Sequence, residues 1–181
     1  MEKEKRTLKF SEIFGFGAGG MFTYGFQLMI TGYYLLYYMT DIAGFSTVLA
    51  ASLYSTIQII KMVTMLFSGV IIDAINFRSG KYRTWVLVSG IGLGLFFPLS
   101  FFYYPLPQSV YVVVFMIIYT LQTLFYNVGW TAMRAVIGKV AKNKADVVAL
   151  NTSAQSAGTI SSILYGYIGY PILGIALWAG T

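Results

Sequence analysis

The sequence predicts an all-α integral membrane protein, and two observations carry that prediction. Apolar residues make up 57% of the 181 residues and charged residues only 10%, against about 45–50% and about 25% in soluble domains. The chain also contains five apolar runs, each at least as long as the roughly 20 residues that a helix needs to cross a bilayer. These runs are Phe14 to Met39, Thr47 to Ile75, Thr84 to Tyr103, Ser109 to Ile137 and Val147 to Leu177.

Basic residues occur in alternate polar segments between the apolar runs. Eleven of the twelve Lys and Arg residues lie in three polar stretches, at residues 3–9, 78–83 and 134–144. The breaks without any Lys or Arg are residues 40–46 and 104–108. Because basic residues in short loops stay on the cytoplasmic side, the alternation predicts a multi-pass protein of the plasma (inner) membrane. Its N-terminal segment, residues 1–13, is then cytoplasmic, and residues 14–181 form the transmembrane domain.

The runs differ in length and in composition. The first continues past Tyr38 without a cleavage site, so we expect a retained helix and not a signal peptide. The second and fourth exceed the bilayer thickness, which predicts tilt or extension into the cytoplasm. The third ends in two tyrosines, Tyr103 and Tyr104. The fifth contains Gly169-Tyr170-Pro171, so we expect either a kinked span or the end of one span and the start of a sixth.

Two further patterns concern the packing of the helices and the position of tyrosines in the membrane. Small residues four apart are expected to let helices approach closely, and such pairs are Gly15 with Gly19, Gly90 with Gly94 and Ser162 with Gly166. Tyrosines near the run ends are expected to anchor the protein at the membrane interface. They are Tyr33, Tyr34, Tyr37, Tyr38, Tyr103 and Tyr104.

The composition argues against several classes of function. The chain has no Cys and no His, which removes thiol catalysis, histidine general-base catalysis and the usual zinc sites. We therefore expect no enzyme, no cofactor and no metal site. The net charge of +6 is dispersed beside the membrane spans and not gathered on one face, so we expect anionic lipid headgroups and not nucleic acid as its partner.

Lys61 is the most informative single residue. It is the one basic residue within the apolar sequence that separates the three polar stretches, and no Asp or Glu occupies the centre of any run. An ammonium at that depth costs from about 3 to above 10 kcal/mol, so it must face a partner, a cavity or water. We predict that Lys61 takes part in solute binding.

Other polar residues lie at helical spacing within the runs. Interhelical hydrogen bonding would account for any one of them, whereas together they predict a polar cavity for a solute. The predicted solute-binding residues are Lys61, Gln58, Asn127, Trp130, Asn151, Gln155 and Gln27. A charge cluster at the cytoplasmic rim is predicted to latch one conformation of the protein. Its members are Asp73, Arg78, Lys81, Arg83 and Arg134.

The loop after the second run reads Arg78-x-Gly80-Lys81-Tyr82-Arg83-x-Trp85, preceded by Asp73. This loop resembles the one between the second and third helices of major facilitator transporters. The form is that of the glycoside-pentoside-hexuronide:cation symporters related to melibiose permease. The first run is similar to that family at Phe14-Gly-Phe-Gly-Ala18 and at Tyr37-Tyr-Met-Thr-Asp-Ile-Ala-Gly-Phe-Ser46. The resemblance implies an N-terminal six-helix domain, with solute bound between it and a C-terminal domain.

The chain departs from the family at the positions that define its sites. By the resemblance, the cation site is two acidic residues four apart on the second helix, and here Lys61 and Met65 stand there. An acidic sugar-binding position on the first helix corresponds to Phe22, another on the fourth to Asn127, and a basic one on the fifth to Asn151. Sodium coupling and the family's sugar specificity are therefore not expected to carry over. Lys61 is expected to act as a built-in cation or to attract an anionic solute.

These observations leave three functions open. The first is a secondary transporter of a glycoside or another sugar-like or anionic solute, of which the chain supplies the N-terminal half with five full spans and the possible start of a sixth. Alternating access would then need the missing C-terminal half or a partner subunit. The second is a lipid or lysolipid transporter of the same fold. The third is a non-transporting membrane subunit that folds by pairing with a partner.

Overall fold

The computed structural model describes residues 8–20, 25, 27, 30–77 and 80–178, and these ranges contain helices and connecting turns but no strand. The helices are α1 (Phe10–Gly20), α2 (Leu35–Tyr37), α3 (Thr47–Ala74), α4 (Lys81–Ser100), α5 (Gln108–Val140) and α6 (Lys144–Trp178). Wider π-helical turns lie on either side of α2, at Ile30–Tyr34 and Tyr38–Ile42.

The predicted runs and the observed helices agree closely from the second run onward. Helices α3 to α6 each coincide with one run, and their ends differ from the predicted ends by at most three residues. By length and hydropathy, α3, α4 and α5 are able to cross a membrane. Five spans therefore stay a prediction. Helix α6 continues through Gly169 and Pro171 to Trp178, so no further span begins within the part of the chain that the structure describes.

Local sequence explains where the long helices begin. Ser46 precedes α3, and its hydroxyl accepts a hydrogen bond from the Leu49 amide at 3.3 Å. This is the usual role of serine at a helix N-terminus, where the first amides have no intrahelical acceptor. Gly80 precedes α4 with φ of 102°, a backbone conformation that side chains with a Cβ rarely adopt. The glycine in the family-like loop is thus required by the turn that starts α4.

The described contacts fall into two compact units, one of residues 1–34 and 137–181 and the other of residues 35–136. In the second unit, the largest apolar cluster is formed by the segment around α2, the first half of α3 and the first half of α5. Its centre includes Leu35, Met39 and Phe115, each at most 1% exposed. This cluster packs the first half of α3 against the first half of α5.

Tyr38 contributes a buried hydroxyl to that cluster. Its Oη lies 2.6 Å from the Tyr111 Oη and donates to the Phe102 carbonyl oxygen at 2.9 Å. Tyr38 and Tyr34 are each only 3% exposed. The prediction that these two tyrosines anchor the protein at the membrane interface is therefore wrong, because their rings pack inside the protein. Tyr33, at 64% exposure, remains compatible with that role.

A second apolar cluster joins the other halves of α3, α4 and α5. Ile72, Trp85, Val128 and Ala132 form its buried centre. Close to it, Gly92 of α4 lies against the Phe125 ring with no room for a Cβ. The two clusters together hold α3, α4 and α5 as one packed group within this unit.

In the first unit, α1 packs against α6. The Ser153 hydroxyl donates to the Ile13 carbonyl oxygen at 2.8 Å, and a Cβ on Gly17 would collide with Ser153. Among the described residues, a Cβ on Gly15 or Gly19 would meet nothing within 4 Å, and the same holds for Gly90 and Gly94 on α4. The prediction that these two pairs bring helices together is therefore wrong, since the close contacts are made by glycines on other faces of the same helices.

Candidate functional site

Lys61 lies midway along the 28-residue helix α3. It is half-buried, and its Nζ is 5.8 Å from the centroid of the Tyr126 ring on α5. An ammonium within about 6 Å of an aromatic ring is attracted by the ring's negative face. No acidic side chain of the described residues forms an ion pair with Lys61. An aromatic ring is thus the contact that the structure shows for this charge.

A line of hydrogen bonds connects α3 and α5 beside Lys61. The Asn127 Nδ2 donates to the Lys61 carbonyl oxygen at 3.0 Å and to the Thr64 Oγ1 at 2.7 Å. One turn further along, the Ser68 and Thr131 hydroxyls lie 2.7 Å apart. Because both pairs advance by four residues on each helix, they fix the rotation of α3 relative to α5. We call this set of four side chains, from Asn127, Thr64, Ser68 and Thr131, the polar seam.

The hydrogen bonds of the polar seam determine which groups of the Asn127 side chain are available to a solute. Its Nδ2 is committed to α3, whereas its Oδ1 accepts no hydrogen bond from the described residues. The residue is only 2% exposed. Asn127 thus has an acceptor to offer and no free donor, and its primary observed role is to hold the Lys61 segment of α3 in place. Solute binding by Asn127 stays a prediction.

Trp130 and Arg134 form a second contact between a cation and a ring. The guanidinium Cζ of Arg134 lies 4.4 Å from the Trp130 ring centroid. The two residues are four apart on α5, so they stack along one face of that helix. Both are half-buried. The face of α5 that follows Asn127 therefore carries an aromatic ring and a positive charge in succession.

The other predicted solute-binding residues make local contacts. Gln58 precedes Lys61 on α3 and is half-buried, but the structure gives it no hydrogen bond to Lys61. In the first unit, the Asn151 Nδ2 donates to the Val147 carbonyl oxygen at 3.0 Å, and Gln155 is exposed. Gln27 is buried there and donates to the Thr31 Oγ1 at 3.3 Å. A common cavity for these residues stays a prediction.

Two described residues of the predicted gating cluster form an ion pair. The Lys81 Nζ donates to the Asp73 Oδ1 at 2.6 Å, joining the end of α3 to the start of α4. Arg83 is exposed in the first turn of α4. Arg78 lies outside the described residues. The pair supplies a charge contact of the kind that a latch requires, and its role in gating stays a prediction.

Sequence reasoning missed Asp146, which is 0% exposed. Its Oδ1 accepts the Leu8 amide and its Oδ2 the Lys142 amide, both at 3.3 Å. The Asn143 Oδ1 in turn accepts the Asp146 amide at 2.8 Å. An Asn followed three residues later by an acidic residue is a helix-start pattern, so Asn143-x-x-Asp146 could have marked the start of α6.

Comparison with known proteins agrees with this architecture. The family described as MFS/sugar transport protein matches residues 15–179. The chain is 27% identical over 150 residues to a protein of Escherichia coli with the provisional name glycoside/cation symporter YagG, covering 81% of this chain and 32% of that protein. It is 23% identical over 169 residues to the isoprimeverose transporter of Lactiplantibacillus pentosus, covering 93% and 35%. It is 28% identical over 94 residues to the glucuronide carrier protein homolog of Escherichia coli, covering 52% and 20%.

The chain spans about a third or less of the length of these relatives, which are transporters and not enzymes. The predicted resemblance to glycoside and hexuronide symporters is confirmed at the level of the family. With the match extending over most of the helical sequence, the chain belongs to the MFS/sugar transport protein family.

Proposed function

We propose that the protein is a secondary transporter, or the N-terminal half of one, that moves a small polar solute by alternating access. The solute class that we infer is a glycoside or another sugar-like or anionic compound, and the second half of the path belongs to a C-terminal half or a partner subunit. The observation that carries the proposal is the Lys61 ammonium, midway along an apolar helix with an aromatic ring as its contact.

The physical argument starts from the cost of that charge. Holding an ammonium at mid-depth costs at least about 3 kcal/mol, and a ring at 5.8 Å offsets only part of that cost, since cation–π contacts contribute about 0.5–2 kcal/mol. A protein keeps such a charge where something else interacts with it. A solute with hydroxyl or carboxylate oxygens supplies hydrogen-bond acceptors for the ammonium.

The Lys61 ammonium also affects whether transport is coupled to sodium. Sodium prefers oxygen ligands, as other hard cations do, whereas the two positions that match the family's cation site carry the Lys61 ammonium and the Met65 thioether. An ammonium repels a cation, and a thioether is a poor ligand for one. We therefore propose that Lys61 takes the place of the coupling ion, so that sodium does not drive transport through this site.

Gating is proposed to involve the Asp73–Lys81 pair. It joins two helix ends at the rim that the basic loops predict to be cytoplasmic. The pair is well exposed on its Asp73 side, and exposed ion pairs contribute only about 0–1 kcal/mol. A contact that weak can break and re-form during a conformational cycle.

The test of the proposed function is Lys61→Ala, examined for two properties of the same purified protein. We expect binding of a glycoside to fall at least about tenfold, because a charge-assisted hydrogen bond contributes about 1.5–3 kcal/mol. Thermal stability is measured alongside, since removing a buried charge that has no function should stabilise the protein by about 1 kcal/mol or more, the cost of the charge less the contribution of the ring. Solute binding is followed by isothermal calorimetry with neutral and acidic glycosides.

Asp73→Asn is the control, because Asp73 lies at the end of α3 and not at its centre. We expect it to leave glycoside binding within about threefold and to change the accessibility of introduced cysteines, which report the conformational balance. A Lys61→Ala protein that is more stable and binds every glycoside as well as the parent would show that Lys61 is only a tolerated charge. The proposed function would then lose its main support.

A further inference from the structure

Two consecutive residues of α5 contact Lys61 of α3 at different points. The Asn127 Nδ2 donates to the Lys61 carbonyl oxygen at 3.0 Å and so holds the backbone of that turn. The centroid of the Tyr126 ring lies 5.8 Å from the Lys61 Nζ, at the other end of the same residue. Tyr126 is not among the predicted solute-binding residues. Lys61 thus contacts α5 both through its backbone and through its charge.

The ring and the ammonium differ in how firmly they are placed. Tyr126 is only 7% exposed, and a side chain packed inside a protein has little room to move. The stem of a lysine is flexible and extends its ammonium toward water from an apolar surface. Lys61 is half-buried, so conformations directed toward water compete with the contact to the ring. A cation–π contact shifts such a balance by about two- to thirtyfold.

The same kind of contact recurs one turn later on α5. Trp130 follows Tyr126 by four residues, so the two rings lie on one face of the helix. The guanidinium Cζ of Arg134 lies 4.4 Å from the centroid of the Trp130 ring. This face of α5 therefore presents an aromatic ring to a cation at two successive turns.

We propose that Tyr126 is a positioning residue for solute binding, whose ring holds the Lys61 ammonium at a fixed depth where the oxygens of the solute meet it. The inference rests on the proposed function, in which Lys61 donates charge-assisted hydrogen bonds to a glycoside. A carboxylate in the place of the ring would neutralise the ammonium. An aromatic ring positions the ammonium and leaves its charge for the solute.

The test compares Tyr126→Leu, which removes the ring, with Tyr126→Phe, which keeps the ring and removes only the hydroxyl. Binding of nitrophenyl glucoside and of nitrophenyl glucuronide is measured by isothermal calorimetry. We expect Tyr126→Leu to lose about three- to tenfold in affinity and Tyr126→Phe to bind within about twofold of the parent. Circular dichroism and elution volume establish that the variants are folded. Tyr126→Met serves in place of the leucine variant if that variant does not fold.

A second measurement reports the position of the ammonium without any solute. A water-soluble amine-reactive ester modifies lysines that reach water, and peptide mass spectrometry gives the extent of modification at Lys61. We expect this modification to rise at least about threefold in Tyr126→Leu, because the contact that opposes extension toward water is lost. It should stay at the parent level in Tyr126→Phe.

Phe125→Leu is the matched control, because Phe125 precedes Tyr126 directly but its ring stacks on Phe96 of α4 with the centroids 5.6 Å apart. It should change the affinity and the modification of Lys61 by less than about twofold, since no cation–π contact is lost. Unchanged modification of Lys61 in Tyr126→Leu, equal effects of Tyr126→Phe and Tyr126→Leu, or equal effects of Phe125→Leu would each overturn the proposal.

The two proposals about Lys61 can fail separately. Glycoside binding that is lost in Lys61→Ala but unchanged in Tyr126→Leu would overturn the role of Tyr126 alone. Full binding by Lys61→Ala would instead count against the proposed function.

Discussion

Two buried serines on α4 occupy similar positions but differ in their hydrogen bonds. Ser89 and Ser100 are 2% and 1% exposed. The Ser100 hydroxyl lies 2.8 Å from both the Phe96 carbonyl oxygen and the Gln122 Oε1. The Ser89 hydroxyl has no hydrogen-bond partner among the described residues.

We expect Ser89→Ala to leave the protein as stable as the parent or more stable by about 1 kcal/mol, because it removes a buried hydroxyl without a partner. Ser100→Ala should destabilise it by about 1–2 kcal/mol, since a buried interhelical hydrogen bond is lost. Urea or thermal unfolding in detergent compares the two. A Ser89→Ala protein as destabilised as Ser100→Ala would contradict this assignment of the hydroxyl bonds.

At the scale of single residues, the sequence predicts which residues are unusual but not what they contact. Lys61 stands out because a charge inside an apolar run is costly wherever it points. That Asn127 donates to the Lys61 carbonyl oxygen could not be foreseen, because the bond depends on how α3 and α5 are rotated about their axes. Asp146 was overlooked because a carboxylate beside lysines resembles an ordinary surface charge in sequence.

Helix packing depends on which face a glycine occupies. A Cβ at position 17 would collide with Ser153 of α6, whereas a Cβ at position 15 would meet nothing within 4 Å. The two glycines lie on the same helix two residues apart and therefore on nearly opposite faces. They form a matched pair for testing the contact between α1 and α6.

Gly17→Ala is expected to destabilise the protein by about 1–3 kcal/mol, the usual effect of overpacking a close contact. Gly15→Ala should be neutral or stabilise it by up to about 1 kcal/mol, because alanine favours the helix and meets no neighbour. Thermal unfolding of both variants in the same detergent measures the difference. If Gly15→Ala were the more damaging substitution, the packing of α1 on α6 described above would be incorrect.

The glycine spacing also shows which feature of helix packing could not be predicted from the sequence. Pairs four apart identify a face of small residues, and α1 and α4 do carry such faces. A one-dimensional pattern does not say which face meets a neighbour, and Gly17 and Gly92 make the close contacts instead. The helix ends were better predicted, because the limits of the apolar runs can be read along the chain and lie within three residues of the ends of α3 to α6.

For the whole molecule, hydropathy and charge predicted an all-helical membrane protein, and the resemblance of the loop after the second run predicted the family. The helices of the described residues and the family are confirmed, whereas five spans stay a prediction. The length and the apolar content of a run are read along the chain, so a prediction based on them does not require knowledge of tertiary contacts. The burial of Tyr38 was not predicted, since a tyrosine at a run end is compatible both with the interface and with a core. The cavity that would join the predicted solute-binding residues also stays a prediction, because polar residues within a run are compatible both with a cavity and with hydrogen bonds between helices.

If Lys61 stands in place of a coupling cation, transport should not depend on sodium. Uptake of a glycoside is measured in proteoliposomes of the complete transporter, with an inward sodium gradient and with all sodium replaced by choline. We expect the two uptake rates to agree within about twofold, because an ammonium and a thioether do not ligate a hard cation. A sodium stimulation of tenfold or more would contradict it.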